Sequence, residues 1–128
     1  MEVKKICVLG SGTMGSQIAQ LAATKGYEVS IRDIEDRFVQ GGLAAISGNL
    51  KKFFVDKGKM TQEEADKISG RISGSVDLKE AVNGAQVVIE CILENMELKQ
   101  QVFKELDEIC APETILASNT SSFNILDI

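Results

Sequence analysis

The sequence predicts an α/β fold in which helices cover both faces of a doubly wound parallel sheet. Two patterns indicate this class. Short apolar runs alternate with longer helical patterns, and a glycine-rich turn joins the first run to the first helix. The length of 128 residues suits one folded unit, so we expect a single domain over residues 1–128.

The first three elements form a strand, helix, strand unit. Val3–Leu9 is a short apolar run that stops at Gly10, as a buried strand does on entering a turn. Met14–Lys25 has apolar residues at helical spacing and is followed by Gly26, a favoured residue after a helix C-terminus. Tyr27–Ile31 alternates like a second strand. A βαβ unit of this size is typical of parallel sheets.

A helical hairpin is predicted as an insertion after the second strand. Residues Arg37–Val55 follow a helical pattern, although glycines at positions 41, 42 and 48 weaken it by about 1 kcal/mol each. Thr61 and Glu64 have the spacing of a capping box, so a helix over Gln62–Ser69 should pack back on its predecessor. The inward positions expected on the first helix are Phe38, Leu43, Ile46, Leu50 and Phe53.

The remaining elements continue the alternation of strands and helices. The chain ends at Ile128 in what reads as the opening of another element, which indicates a domain incomplete at its C-terminal end and a longer parent protein. The predicted elements are a strand over Arg71–Val76, a short helix over Leu78–Val82, a strand over Gln86–Cys91, a helix over Glu97–Cys110 and a strand over Thr114–Ala117.

Composition excludes several classes of function. The net charge of −5 lacks the basic excess of nucleic-acid-binding proteins. No apolar run reaches the roughly 20 residues that span a bilayer, so we expect no membrane segment and a cytoplasmic setting. Cys7, Cys91 and Cys110 lie in apolar runs without metal-ligand spacing, which predicts reduced, buried thiols and no metal site. Without a histidine, the chain supplies no imidazole base.

The turn after the first strand has the pattern G-x-G-x-x-G. In a dinucleotide-binding loop these glycines allow a tight turn, close approach of the pyrophosphate and close packing of helix on strand. The alternative is a glycine-rich turn without a ligand. Its place between a strand and a helix, 18 residues before Asp33, favours a Rossmann-type dinucleotide site. The candidate cofactor residues of this loop are Gly10, Ser11, Gly12, Thr13, Met14 and Gly15.

The end of the second strand predicts which dinucleotide is bound. Asp33 would accept hydrogen bonds from both ribose hydroxyls of NAD and repel a 2′-phosphate. Arg32 beside it could receive that phosphate, so NADP remains an alternative to NAD; otherwise Arg32 is a solvated charge at a strand end.

Two polar clusters follow later strands. Glu90 is either a buried, hydrogen-bonded carboxylate or a functional one, and Glu94 is either part of the site or an ordinary acid of a first helical turn. Asn119 and Ser121 lie in a run of hydroxyl and amide side chains that could orient a polar substrate or cap the next helix.

Taken together, several segments resemble the 3-hydroxyacyl-CoA dehydrogenases. They are GSGTMGSQIAQLAA, YEVSIRD, VVIECILENMELKQQVFKELDEIC and ETILASNTSS. The resemblance spans nearly the whole chain, and E-x-x-x-E-N with ASNTSS is far more specific than the glycine loop alone. It implies oxidation of a (3S)-3-hydroxyacyl-CoA to a 3-oxoacyl-CoA with NAD, or the reverse reduction of acetoacetyl-CoA in butyrate metabolism.

The resemblance also implies roles for individual residues. Cofactor contacts carry over onto three glycines of the loop, Asp33, Glu94 and Lys99. Ser121 matches a serine that bonds the 3-oxygen of the substrate, and Asn119 lines the same pocket. The helical hairpin touches the CoA moiety in the family, which suggests contacts from Asn49, Lys52 and Lys57.

The family's catalytic histidine belongs to an H-F-F-N-P sequence expected beyond residue 128. We therefore expect these residues to bind cofactor without turning substrate over, and a parent homodimer formed through a helical C-terminal domain. Two alternatives remain at this point. One is another Rossmann oxidoreductase, such as a 3-hydroxyacid or nucleotide-sugar dehydrogenase. The other is a non-catalytic module that senses NADH or acyl-CoA.

Overall fold

A computed structural model describes residues 2–91, 96–110 and 113–118, with the backbone alone described for residues 96–99 and 118. These residues form a five-stranded parallel sheet covered by helices, which confirms the predicted fold class. The strands are β1 (Lys5–Leu9), β2 (Glu28–Arg32), β3 (Ile72–Ser75), β4 (Val87–Glu90) and β5 (Ile115–Ser118). The helices are α1 (Thr13–Thr24), α2 (Asp36–Leu50), α3 (Gln62–Gly70), α4 (Leu78–Val82) and α5 (Met96–Ile109).

The sheet has the strand order β3-β2-β1-β4-β5. The chain first adds β2 and β3 on one side of β1 and then adds β4 and β5 on the other side, so the direction in which strands are added reverses at β1. On one side of this strand Leu9 pairs with Arg32 of β2, and on the other side it pairs with Glu90 of β4. Parallel sheets with such a reversal bind ligands at the carboxyl ends of the strands, where two neighbouring connections leave in opposite directions.

Alternation along β1 divides the core into two layers. Val8 packs with α1, α2 and α3 on one face of the sheet, whereas Cys7 and Leu9 pack with α4 and α5 on the other. All three side chains are buried, as expected for the central strand of a parallel sheet covered on both faces.

Helix α1 ends at the glycine that the sequence indicates. Gly26 has φ +102°, a left-handed conformation that favours glycine after a helix. Its amide donates to the carbonyl of Ala23 at 3.1 Å, and Arg71 Nη1 donates to the same carbonyl at 2.7 Å. This end of α1 is therefore held both by its own backbone and by the segment that leads into β3.

The predicted helical hairpin is confirmed. Helix α2 continues into a π-helical turn over Lys51–Val55, and α3 packs back through Ala65 and Ile68 into the same core cluster as Leu50. The Oγ1 of Thr61 accepts a hydrogen bond from the Glu64 amide at 3.1 Å, which is the N-cap bond predicted from their spacing.

Two of the inward positions predicted on the first helix of the hairpin are wrong. Phe38 and Phe53 are 40% and 44% exposed, and Val39 and Phe54 lie inward instead. The π-helical turn explains the second error, because its wider turn, with i to i+5 hydrogen bonds, rotates position i+3 from Leu50 away from the core and keeps position i+4 on it. Leu43, Ile46 and Leu50 do contact the core as predicted.

The three cysteines are free thiols, but only Cys7 is fully buried. Burial raises its pKa to about 11, so this thiol stays protonated at neutral pH. Cys91 and Cys110 are half-buried, which corrects the expectation that all three are buried. Within the described ranges, no helix is long and apolar enough to cross a bilayer, and no group of acidic, cysteine or histidine side chains is placed to hold a metal ion.

Two glycines outside the glycine loop give opposite predictions for stability. A Cβ on Gly48 in α2 meets nothing within 4 Å, so Gly48→Ala should raise the unfolding free energy by up to about 1 kcal/mol through helix propensity. A Cβ on Gly74 in β3 would lie 2.3 Å from Cγ1 of the buried Val39, so Gly74→Ala should lower the unfolding free energy by about 1–3 kcal/mol. Urea unfolding of both variants checks this, and a stabilised Gly74→Ala protein would contradict the packing of α2 on β3.

Candidate functional site

The glycine loop turns tightly at the carboxyl end of β1. Gly10 has φ +107°, a conformation that L side chains rarely adopt, and its amide donates to the carbonyl of Arg32 at 2.7 Å. The turn is thereby tied to the end of β2 as it leaves β1.

Gly15 allows α1 to start directly against this turn. A Cβ on Gly15 would lie 1.8 Å from the carbonyl oxygen of Gly10, a separation that no side chain tolerates. The space beside Gly12 is different, because a Cβ there meets nothing within 4 Å. The first glycine is therefore favoured by its backbone conformation and the third is required by packing, whereas the second borders open space at the helix N-terminus.

The N-terminus of α1 carries the features of an anion site. Gly12 is the N-cap, so no side chain caps the helix, and the first turn contains no acidic residue. The Ser16 amide bonds the Gly12 carbonyl at 2.8 Å, and the preceding amides lie at the positive end of the helix dipole. These groups, and the open space at Gly12, fit the pyrophosphate of a dinucleotide.

Asp33 is held in place by the glycine loop. The amide and hydroxyl of Ser11 donate to its Oδ2 at 2.9 and 2.7 Å, and the Ile34 amide donates to its Oδ1 at 2.7 Å. Burial opposes ionisation of this carboxyl, but the three hydrogen bonds outweigh burial and hold its pKa below the usual range. At neutral pH the group is a fixed carboxylate, available to accept hydrogen bonds from a ribose.

The guanidinium of Arg32 is partly engaged by the protein. Its Nε donates to the carbonyl of Val76, just after β3, at 3.0 Å. This bond orients the side chain along the sheet edge beside Asp33, whose pKa the positive charge also lowers. The structure therefore places Arg32 next to the carboxylate and ties it to the neighbouring connection.

The second polar cluster lies at the end of β4. Glu90 is fully buried and pairs with Leu9 on one side and with Ser118 on the other, and the Cys91 amide donates to the Leu9 carbonyl at 2.7 Å. Lys99 lies in α5, where the backbone alone is described. Glu94, Asn119 and Ser121 lie outside the described residues.

The three candidate CoA contacts lie on the hairpin, apart from the glycine loop in sequence. Asn49 is half-buried near the end of α2, and Lys52 and Lys57 are exposed. The ammonium nitrogens of the two lysines lie 5.3 Å (Lys52) and 5.7 Å (Lys57) from the centroid of the Phe53 ring. Sequence reasoning treated Phe53 as a core residue and so missed this arrangement, which only the π-helical turn produces.

Family comparison agrees with this geometry. Residues 5–128 match the family described as 3-hydroxyacyl-CoA dehydrogenase, NAD binding domain. The chain belongs to this family. The glycine loop, the helix N-terminus and the Asp33 carboxylate are thus parts of an NAD-binding domain, and NAD is the cofactor expected from the sequence.

Two relatives of this NAD-binding domain are named as dehydrogenases of 3-hydroxybutyryl-CoA and of hydroxyacyl-coenzyme A. A probable 3-hydroxybutyryl-CoA dehydrogenase of Bacillus subtilis is 47% identical over 128 residues, all of this chain and 44% of the relative. The mitochondrial hydroxyacyl-coenzyme A dehydrogenase of Rattus norvegicus is 35% identical, over 98% of this chain and 41% of the relative. The chain therefore spans less than half the length of either protein.

A solved structure supports the fold as well as the family. The crystal structure of an (S)-3-hydroxybutyryl-CoA dehydrogenase from Ralstonia eutropha superposes with a TM-score of 0.92 at 35% identity. The match covers 97% of this chain and 43% of that chain. Both the parallel sheet and its Rossmann-type order are thereby confirmed.

Two loop glycines separate a binding role from a packing role. Gly12→Ala should leave the unfolding free energy within about 1 kcal/mol of wild type, because its Cβ meets no protein atom, yet weaken NADH binding at least about tenfold by filling the space at the helix N-terminus. Gly15→Ala should lower the unfolding free energy by several kcal/mol, on the order of 3. Urea unfolding measures the stability of the two variants, and a fluorescence titration measures their affinity for NADH. Unchanged NADH binding by Gly12→Ala would contradict the pyrophosphate position.

Proposed function

We propose that this protein binds NAD for the interconversion of (3S)-3-hydroxyacyl-CoA and 3-oxoacyl-CoA, with 3-hydroxybutyryl-CoA and acetoacetyl-CoA as the short-chain pair. The observation that carries the NAD half is the Asp33 carboxylate, fixed by Ser11 beside the open N-terminus of α1. The names of relatives that share 47% and 35% of their matched residues with this chain support the substrate half.

Within this proposal the loop residues divide their work. Gly10 and Gly15 form the turn, Gly12 gives the pyrophosphate room, and the amides of Thr13 and Met14 face it from the first turn of α1. The side chain of Met14 is exposed, so it can contact the bound dinucleotide without any change in the core. Bound NAD accepts or returns the hydride at its nicotinamide.

The choice of NAD over NADP rests on Asp33. Both of its oxygens already accept hydrogen bonds from the protein, so the carboxylate is fixed in position and its charge opposes a 2′-phosphate. Arg32 could attract such a phosphate, but its Nε donates to Val76. We therefore assign Arg32 to the sheet edge and Asp33 to the ribose.

The remaining assignments follow from the resemblance. Glu94 and Lys99 are proposed to contact NAD, and Ser121 and Asn119 to hold the 3-oxygen of the substrate. Because the chain contains no histidine, the base expected from the family is not among its 128 residues. The single domain over residues 1–128, a homodimeric parent and a cytoplasmic setting stay predictions.

The tip of the hairpin is the proposed contact for CoA. Lys51, Lys52, Lys57 and Lys59 fall within nine residues of a chain whose net charge is −5. Two of them flank the exposed Phe53 ring, which gives an aromatic surface with cations beside it. Phosphates and an adenine ring are the chemical groups that such a surface accommodates.

Titration with NADH and NADPH tests the cofactor assignment. Wild type should bind NADH more tightly than NADPH. Asp33→Asn should weaken NADH binding about tenfold or more, and it should also reduce the preference for NADH over NADPH, because the carboxylate charge that repels the 2′-phosphate is lost. Asp56→Asn, which makes the same charge change on the hairpin, should leave both affinities unchanged. A wild-type preference for NADPH would assign the phosphate to Arg32, and failure to bind either dinucleotide would refute the proposed function.

Titration with CoA tests the hairpin. Lys52→Gln and Lys57→Gln should each weaken CoA binding roughly threefold in the presence of NADH, with a smaller effect at high salt, because exposed lysines act on phosphates through screened charge. Lys67→Gln, at an exposed site on α3, is the matched control. Equal affinity of all three variants and wild type for CoA would place the acyl-CoA contact elsewhere.

A further inference from the structure

Helix α2 contacts the glycine loop at Gly42, a position of the helix that has no side chain. A Cβ built on Gly42 would lie 2.8 Å from the Cβ of Ser11, 2.8 Å from the Ser11 carbonyl oxygen and 3.2 Å from the Oγ of Ser16. Gly41 and Gly48 of the same helix meet nothing within 4 Å. Of these three helical glycines, only Gly42 is required by its surroundings.

Ser11 has no freedom to move away from this contact. It is 5% exposed, and its amide and hydroxyl both bond Asp33. The hydroxyl oxygen also lies 2.7 Å from the Phe38 carbonyl of α2, and the Ser11 carbonyl accepts the Ser16 hydroxyl at 2.8 Å. Any displacement of Ser11 therefore stretches a hydrogen bond to Asp33, α2 or α1.

Helix α2 is equally unable to retreat. Val39 is fully buried against β3, where the absence of a side chain on Gly74 makes room for it, and Ile46 is buried in the core one helical turn beyond Gly42. A methyl group added at position 42 must therefore push on Ser11, because the helix is packed on both sides of the contact.

We propose that Gly42 is a positioning residue of the NAD site, which fixes the depth of Ser11 in the loop and through it the carboxylate of Asp33. The inference rests on the proposed dinucleotide site and extends that site to a second helix. It also gives a reason for glycine in the interior of α2, where glycine is unfavourable for helix formation.

The test compares Gly42→Ala with two matched variants by NADH titration and thermal unfolding. Gly42→Ala should weaken NADH binding about tenfold, as expected when charge-assisted hydrogen bonds to Asp33 are strained. Gly41→Ala, the same change one residue away, should bind NADH as wild type does. Ile46→Ala, which removes a buried core side chain of α2, should lower the melting temperature and leave the NADH affinity within twofold.

A spectroscopic readout separates positioning from simple destabilisation. In a carboxyl NMR titration, the pKa of Asp33 should rise towards its usual value in Gly42→Ala and stay unchanged in Ile46→Ala. Wild type that fails to bind NADH would refute the proposed function itself. Wild type that binds, with Gly42→Ala binding equally well or with Ile46→Ala weakened to the same degree, would overturn only the role of Gly42.

A second variant keeps the proposal testable if Gly42→Ala does not fold. Ser11→Gly removes the Cβ contact, and its freer backbone lets the carbonyl oxygen of residue 11, which is the other 2.8 Å contact, move away from position 42. The double variant Ser11→Gly/Gly42→Ala should therefore bind NADH within threefold of Ser11→Gly alone. A full tenfold loss between these two proteins would show that the effect does not pass through Ser11, and the proposal would be wrong.

Discussion

The contact between Gly15 and the carbonyl of Gly10 is the constraint on which the nucleotide edge depends. Only a hydrogen atom fits there, since a Cβ would lie 1.8 Å from the carbonyl oxygen. This closeness lets α1 begin immediately above the end of β1 and aim its free amides at the sheet edge. In this short loop Ser11 is buried, with Asp33 on one side and α2 on the other.

Electrostatics at this edge is local. The protein carries a net charge of −5, and NAD is itself an anion, yet screening at physiological ionic strength limits long-range repulsion to about 8 Å. Within that range the proposed pyrophosphate position is surrounded by backbone amides and the positive end of α1. The negative charge of Asp33 accepts three hydrogen bonds and lies beside the positive charge of Arg32, and both interactions offset part of the repulsion between this carboxylate and the phosphates of the proposed cofactor.

The sequence pattern predicts the strands and helices well, because each depends on local alternation, turn glycines and caps. Thr61, for example, caps α3 as its spacing with Glu64 predicts. Phe53 was assigned wrongly because a π-helical turn changes the helical phase, and no feature of the local pattern marks that turn. The contact of Gly42 with Ser11 joins α2 to the glycine loop through tertiary packing, so the sequence shows only an unfavourable helical glycine and not its cause.

The strand register explains how residues far apart in the chain can share one site. Leu9 pairs with Arg32 and Glu90, and Glu90 pairs with Ser118, so these strands end level with one another. Each following connection must therefore start from the same edge, on either side of the point where the chain reverses. In the proposed function the adenosine end lies on the β2 side, at Asp33, and the nicotinamide and substrate lie on the side of β4 and β5. A dinucleotide bound along this edge would therefore span both halves of the sheet, with the glycine loop of the central strand β1 between its two ends.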